Sequence, residues 1–155
     1  MRIELVSKDK KKYLDLLLIA DEQEDMIDRY LDKGDLYVLQ DGGVKGVCVV
    51  TDEGEGVYEI KNIATHPDAR GKGYGRRLID FVVDTYQDRG HTLLVGTGES
   101  PLTVPFYERC GFVLSHRIKD FFLDNYDHPI FECGVQLKDM VYLKRPLSGQ
   151  AKKES

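Results

Sequence analysis

A mixed α/β fold, with a central sheet that hairpins alone cannot build, is predicted by three features of the sequence. Residues 35–40 and 44–50 alternate on either side of Asp41-Gly42-Gly43 and read as a β-hairpin. Residues 57–65 and 91–97 read as two further strands. Between them Leu78, Ile79, Val82 and Tyr86 repeat at helical spacing up to Gly90. A strand, a helix and a strand in that order call for a crossover connection rather than a tight turn.

The remaining elements follow in chain order. Residues 2–6 alternate as a short strand, and Tyr13, Leu14, Leu17 and Leu18 share one helical face. A second helix is expected from Asp21, with Glu24 as its capping-box partner, to near Gly34. Its apolar stripe is Met26, Ile27, Tyr30 and Leu31. A short helix carries Phe106 and Tyr107 and is closed by Gly111. Pro105 has no N–H to donate, so that helix should begin near Thr103 or kink. Residues 112–123 and 135–143 read as the last strands, with an irregular segment at 124–129.

Length and charge narrow the class. The 155 residues suit one domain, taken as residues 1–147, with a polar tail at 148–155. The longest unbroken apolar run, residues 16–20, is far too short to span a bilayer, and no basic stretch precedes an apolar one at the N-terminus. A cytoplasmic protein without membrane association is expected. Acidic residues outnumber basic ones 27 to 22, a formal charge of −5, which argues against duplex nucleic acid and suits a cationic substrate. Cys48, Cys110 and Cys133 are widely spaced and read as free thiols, and the four scattered histidines suggest no metal site.

The chemistry concentrates in residues 57–86. Gly71, Gly73 and Gly75 stand just ahead of the amphipathic helix. Glycines let a backbone approach an anion and aim successive N–H groups at it, and a helix start adds partial positive charge. Arg70, Lys72, Arg76 and Arg77 put formal positive charge at the same place in an acidic chain. A pyrophosphate is the ligand this arrangement suits. It is not a Walker loop, because Lys72 is followed by glycine, and the G-x-G-x-G spacing at mid-chain does not match a dinucleotide fingerprint.

Residues 60–75, taken with Phe106-Tyr107-Glu108-Arg109-Cys110-Gly111-Phe112, resemble the GNAT superfamily of acetyl-CoA-dependent N-acetyltransferases. The family loop, Gln/Arg-x-x-Gly-x-Gly/Ala, is matched by Arg70, Gly73 and Gly75. The resemblance extends over nearly the whole chain. It implies a twisted, mostly antiparallel sheet with one splayed strand pair and about four flanking helices. It implies acetyl-CoA as co-substrate, no metal, and a primary amine of a small molecule or peptide as acceptor. It admits a homodimer.

Residue roles follow from the same resemblance. Gly71, Lys72, Gly73, Tyr74, Gly75 and Arg76, with Arg70, would surround the CoA pyrophosphate. Ile63, Ala64 and Thr65 would pair with the pantetheine arm, and a backbone N–H near Ile63 would polarise the acetyl carbonyl. Phe106 would flank the cofactor. Ser100 stands where the family often has an asparagine that contacts pantetheine. Tyr107 aligns with the tyrosine that protonates the departing thiolate, and Glu59 with the strand glutamate used as base by the histone-acetylating branch. Free amines near pKa 10.4 are mostly protonated at neutral pH, so a base has work to do. Tyr126, Asp127 and Glu132 are placed on the acceptor side, where they would draw in a cation. A non-catalytic CoA-binding member of the same fold is the alternative.

Overall fold

The computed structural model describes residues 1–147. The expected tail, residues 148–155, lies outside the described residues. Seven strands form one sheet: β1 (Arg2–Val6), β2 (Asp35–Gln40), β3 (Val44–Gly54), β4 (Val57–Thr65), β5 (Thr92–Gly98), β6 (Val113–Ile118) and β9 (Met140–Pro146). β7 (Phe131–Glu132) and β8 (Val135–Gln136) make a separate two-residue hairpin. The order in the large sheet is β1-β2-β3-β4-β5-β9-β6. Every neighbouring pair is antiparallel except β4 and β5, which run parallel.

Among the described residues five α-helices flank the sheet: α1 (Leu14–Ala20), α2 (Glu24–Asp28), α3 (Tyr74–Tyr86), α4 (Val104–Arg109) and α5 (Phe121–Asn125). α3 is the β4-to-β5 crossover. It buries Leu78, Ile79, Val82 and Tyr86 against Leu39, Cys48, Val50, Ile60 and Leu93. α1 and α2 cover the opposite face, where Leu17, Ile27 and Leu31 meet Leu36, Val38, Val47 and Val49. The alternation of β2 and β3 thus feeds two cores from one hairpin. Each fully buried Leu or Ile contributes about 1.5–3 kcal/mol relative to exposure.

Two irregularities shape the centre of the molecule. β4 pairs with β5 only over Val57–Ile60 and Thr92–Val95, after which the strands diverge and leave a cleft. The β3–β4 register also shifts: Val50 faces Ile60 while Val49 faces Asn62, so Lys61 is an extra residue. Such a bulge re-aims the side chains beside it.

Three sequence expectations are corrected. The second helix spans only Glu24–Asp28, with Gln23 before it, and Asp21 ends α1 instead of capping α2. The Asp21 carboxylate accepts hydrogen bonds from the hydroxyls of Tyr30 and Tyr126 instead, so it has no role with Glu24. The expected strand 112–123 stops at Ile118, because Asp120 turns left-handed (φ 56°), its N–H bonded to Asp139, and α5 starts behind it. The expected strand 135–143 is split: residues 135–136 belong to the small hairpin, and β9 runs from Met140 to Pro146. α4 starts after Thr103 with Pro105 in its first turn, as the missing N–H requires.

Candidate active site

A cavity of about 600 Å³ fills the β4–β5 cleft. Its walls are strand residues 60–65 and 95–98, the Gly-rich loop with the start of α3, α4, the end of α1, and the segment from α5 through the small hairpin. Its two ends differ in charge. Arg70, Arg76 and Arg109 line the end beside the Gly-rich loop, while the rest of the charged lining is Asp21, Glu22, Glu132 and Lys61.

The cationic end has the geometry of an anion cradle. Gly71 and Gly73 have φ of 80° and 82°, and a Cβ on either would meet nothing within 4 Å. That open space beside backbone N–H groups at the start of a 13-residue helix fits a pyrophosphate. Arg70, Gly71, Gly73, Tyr74, Gly75 and Arg76 all line the cavity, whereas Lys72 is exposed and does not. Tyr74 packs with its hydroxyl on Asp41 at 2.5 Å. Gly75 is needed for a different reason: a Cβ there would lie 3.1 Å from the ring of Phe106, which also lines the cavity. Ile63, Ala64 and Thr65 line the cavity on the stretch of β4 that is paired with β3 but no longer with β5.

Tyr107 is buried, lines the cavity, and has no hydrogen-bond partner for its hydroxyl among the described residues. Burial pushes its pKa well up, reinforced by the field of neighbouring groups including Glu132. It therefore holds its proton throughout the neutral range.

Glu59 is placed elsewhere. Its carboxylate is buried, 3.1 Å from Lys61 Nζ, and accepts the Tyr142 hydroxyl at 3.1 Å. Burial raises its pKa and Lys61 opposes the rise. Lys61 lines the cavity and Glu59 does not. Ser100 is also off the lining: it is buried, and its Oγ accepts the N–H of Leu102 in the turn into α4. Asp127 turns away, its backbone on Gln23 and its carboxylate on His128. Tyr126 and Glu132 do line the cavity.

The acceptor side holds residues the sequence reading missed. Asn62 is buried and donates to Leu17 O and to the Tyr30 hydroxyl, both at 3.0 Å. Tyr30 and Tyr126 donate to Asp21 at 2.9 and 2.6 Å. The network ties α1, the turn after α2, β4 and the residue after α5 into one wall. Burial raises the Asp21 pKa, and the Tyr126 and Tyr30 hydroxyls counter it. Asn62 Oδ1 and Glu132 Oε1 are buried with no partner among the described residues, and both residues line the cavity. Acceptor atoms left bare in this way suit a ligand that brings N–H groups.

Two glycines of β5 let this wall close. A Cβ on Gly96 would lie 2.9 Å from Met140 Sδ and 3.0 Å from the Tyr142 ring, and one on Gly98 would lie 2.4 Å from Leu137. Glycine inside a strand signals such close approach. Gly98→Ala is expected to cost about 1–3 kcal/mol by overpacking. It should lower Tm by several degrees and raise the acceptor KM more than that for the cofactor. A Tm equal to the parent's would show that Leu137 repacks freely.

Comparison with known proteins agrees with this architecture. A family model describing an acetyltransferase (GNAT) domain matches residues 32–114. The N-acetyltransferase YvbK of Bacillus subtilis is 37% identical over 146 residues, covering 92% of this chain and 94% of its own. A crystal structure of a Bacillus subtilis acetyltransferase in complex with CoA superposes with a TM-score of 0.86 at 36% identity, over 94% of this chain and 97% of that one. A GNAT family acetyltransferase from Elizabethkingia anophelis with acetyl-CoA bound gives 0.88 at 32% identity, over the same shares of the two chains. The chain belongs to the GNAT family and has its fold. It is an acetyltransferase.

Proposed function

We propose that this acetyltransferase moves the acetyl group of acetyl-CoA to a primary amine of a small molecule or peptide, by direct attack in a ternary complex. The observation that carries the reading is the polarised cavity: a cationic, glycine-lined end for pyrophosphate, and an end with bare acceptor atoms for an amine. In this reading the N–H groups of residues 71–76 hold the pyrophosphate. The β4 stretch that has left β5, Ile63 to Thr65, accepts the pantetheine on its free edge. A β4 N–H near Ile63 meets the oxyanion, which needs a fixed donor. Tyr107 donates to the departing thiolate. Tyr126 and Glu132 face the acceptor.

Thermal unfolding with acetyl-CoA, CoA, NAD and ATP in parallel tests the cofactor half. Ligand at about 100 times Kd adds about 2.7 kcal/mol, a Tm rise of roughly 5–10 °C for a domain of this size. Thiol release from acetyl-CoA with n-butylamine, benzylamine, 1,4-diaminobutane and glycinamide tests the transfer half. Binding without transfer to any amine would favour the non-catalytic CoA-binding alternative. Among the described residues no helix is long and apolar enough to cross a membrane.

The homodimer reading is supported by β6, an edge strand whose Val113, Leu114 and Ile118 are exposed. Exposed apolar edges invite pairing. Light scattering should report a dimer that Leu114→Lys converts to monomer; a monomeric parent would remove the dimer from the account.

A further inference from the structure

We propose that Glu132 is the general base of the transfer, in place of Glu59: its carboxylate takes the proton of the acceptor ammonium inside the cavity. The assignment rests on the acetyl-transfer reading above. Glu132 lines the cavity, and its Oε1 is buried with no partner among the described residues. A buried carboxylate oxygen lacking a donor is unfavourable until an N–H arrives, and an ammonium brings several. Glu59 is already engaged. Lys61 and Tyr142 both engage its Oε2, and the residue stands off the lining.

Glu132 also lines the same cavity as the group that must act with it. Its negative charge is among those that help hold the Tyr107 hydroxyl protonated. Base and thiolate donor thus share one stretch of cavity, as a reaction with a proton leaving nitrogen and a proton reaching sulfur requires.

The support beneath Glu132 is stiff. It adjoins the turn Cys133-Gly134, whose φ values of 52° and 75° are both positive, as in the tight turns favoured by two-residue hairpins. Leu137 N–H donates to Ile130 O at 2.8 Å and prolongs the hairpin by one pair. Ile130 and Leu137 are buried with Phe122, which fastens the hairpin to the body. Leu137 sits there because Gly98 has no side chain. A slip of one residue would turn Glu132 to the other face of the hairpin, and the short turn resists it.

The steps balance. Glu132 takes one proton from R–NH₃⁺. The freed lone pair forms the N–C bond at the thioester carbonyl, and the π pair moves to oxygen. Collapse restores the carbonyl and breaks C–S. The thiolate takes the Tyr107 proton, and the second nitrogen proton returns to Tyr107 directly or through water. Glu132 releases its proton to solvent, so one proton leaves per turnover.

Asp21 and Glu22 from the end of α1, Lys61 of β4, Tyr107 of α4 and Tyr126 after α5 share the cavity with Glu132 and add their fields to any pH profile. Variants at one position, compared with one another, remove that common background. Kinetics are run with acetyl-CoA and whichever of the four amines above reacts fastest. Glu132→Gln should lower kcat about 100-fold, abolish the acidic limb of kcat/KM, and leave acetyl-CoA Kd within about twofold of the parent. Glu132→Asp should keep the limb with reduced kcat, which a merely misfolded site would not do. Formate should partly restore Glu132→Ala. A Glu132→Gln enzyme within threefold of the parent and with its acidic limb intact overturns the assignment. So does loss of the limb in Glu59→Gln but not in Glu132→Gln. A parent chain that acetylates none of the four amines overturns the transfer reading itself, and this assignment with it.

Discussion

Tyr107→Phe is expected to lower kcat about 100-fold and to leave acetyl-CoA affinity within about twofold of the parent. The size comes from one hydrogen bond to a charged partner, about 1.5–3 kcal/mol, present only as charge builds on sulfur. The ring itself is held independently of its hydroxyl. It packs edge-on against Phe106 and Phe112, at centroid distances of 5.2 and 5.7 Å, and phenylalanine keeps both contacts. The hydroxyl has no partner among the described residues, so its removal strands no buried donor or acceptor. Stability should change little. The pH dependence is decided by sign. Burial raises the pKa of Tyr107, so the proton is present across the neutral range and is lost only above the ordinary tyrosine value near 10. A basic limb below about pH 9 therefore belongs to another group and must survive in Tyr107→Phe. If turnover in the variant equals that of the parent, water suffices as the proton donor, and Tyr107 is only a packing residue.

The part of the site that was legible in the sequence is the part built from neighbours in the chain. The Gly-rich loop, the start of α3 and the half of β4 that has left β5 lie within twenty residues, and each carries its geometry in its own residue types. The acceptor wall is assembled from afar. Asp21 meets Tyr126 across 105 positions, and Asn62 meets Leu17 and Tyr30 across 45 and 32. Asp21 also stands three residues ahead of a glutamate, which imitates a helix cap and conceals its use as an acceptor for two tyrosines. Glu59 aligns with a strand glutamate of the family, yet position along a strand does not reveal a bulge, and here Lys61 is the bulged residue. One further signal is readable: Gly96 and Gly98 alternate within β5, the mark of something packed closely on one face. The sheet order around β5, β9 and β6 depends on where the chain returns after α5. The left-handed Asp120 that ends β6 early has no sequence signature beyond its residue type.

Gly73→Val should weaken acetyl-CoA binding about 100-fold, or ~2.7 kcal/mol. The substitution carries two costs, one to folding and one to binding, and the second sets that figure. A β-branched residue at φ 82° resists the left-handed backbone, by about 1–2 kcal/mol for an ordinary L-residue and more for valine. The new methyl groups also enter the open space beside the loop, where a Cβ at Gly73 meets nothing within 4 Å and where the pyrophosphate is proposed to sit. Only the second cost is specific to the cofactor, so a control must carry the first alone. Gly42 provides it. It lies in the β2–β3 turn at φ 66°, its Cβ would likewise meet nothing within 4 Å, and it does not line the cavity. Gly42→Val should lower Tm by a comparable few degrees while binding acetyl-CoA as the parent does. Calorimetric titration of both variants separates strain from occlusion. Equal loss of affinity in the two would trace the effect to general destabilisation. Full affinity in Gly73→Val would mean that the pyrophosphate lies off the loop, and the cradle formed by residues 71–76 would then be only the turn that starts α3.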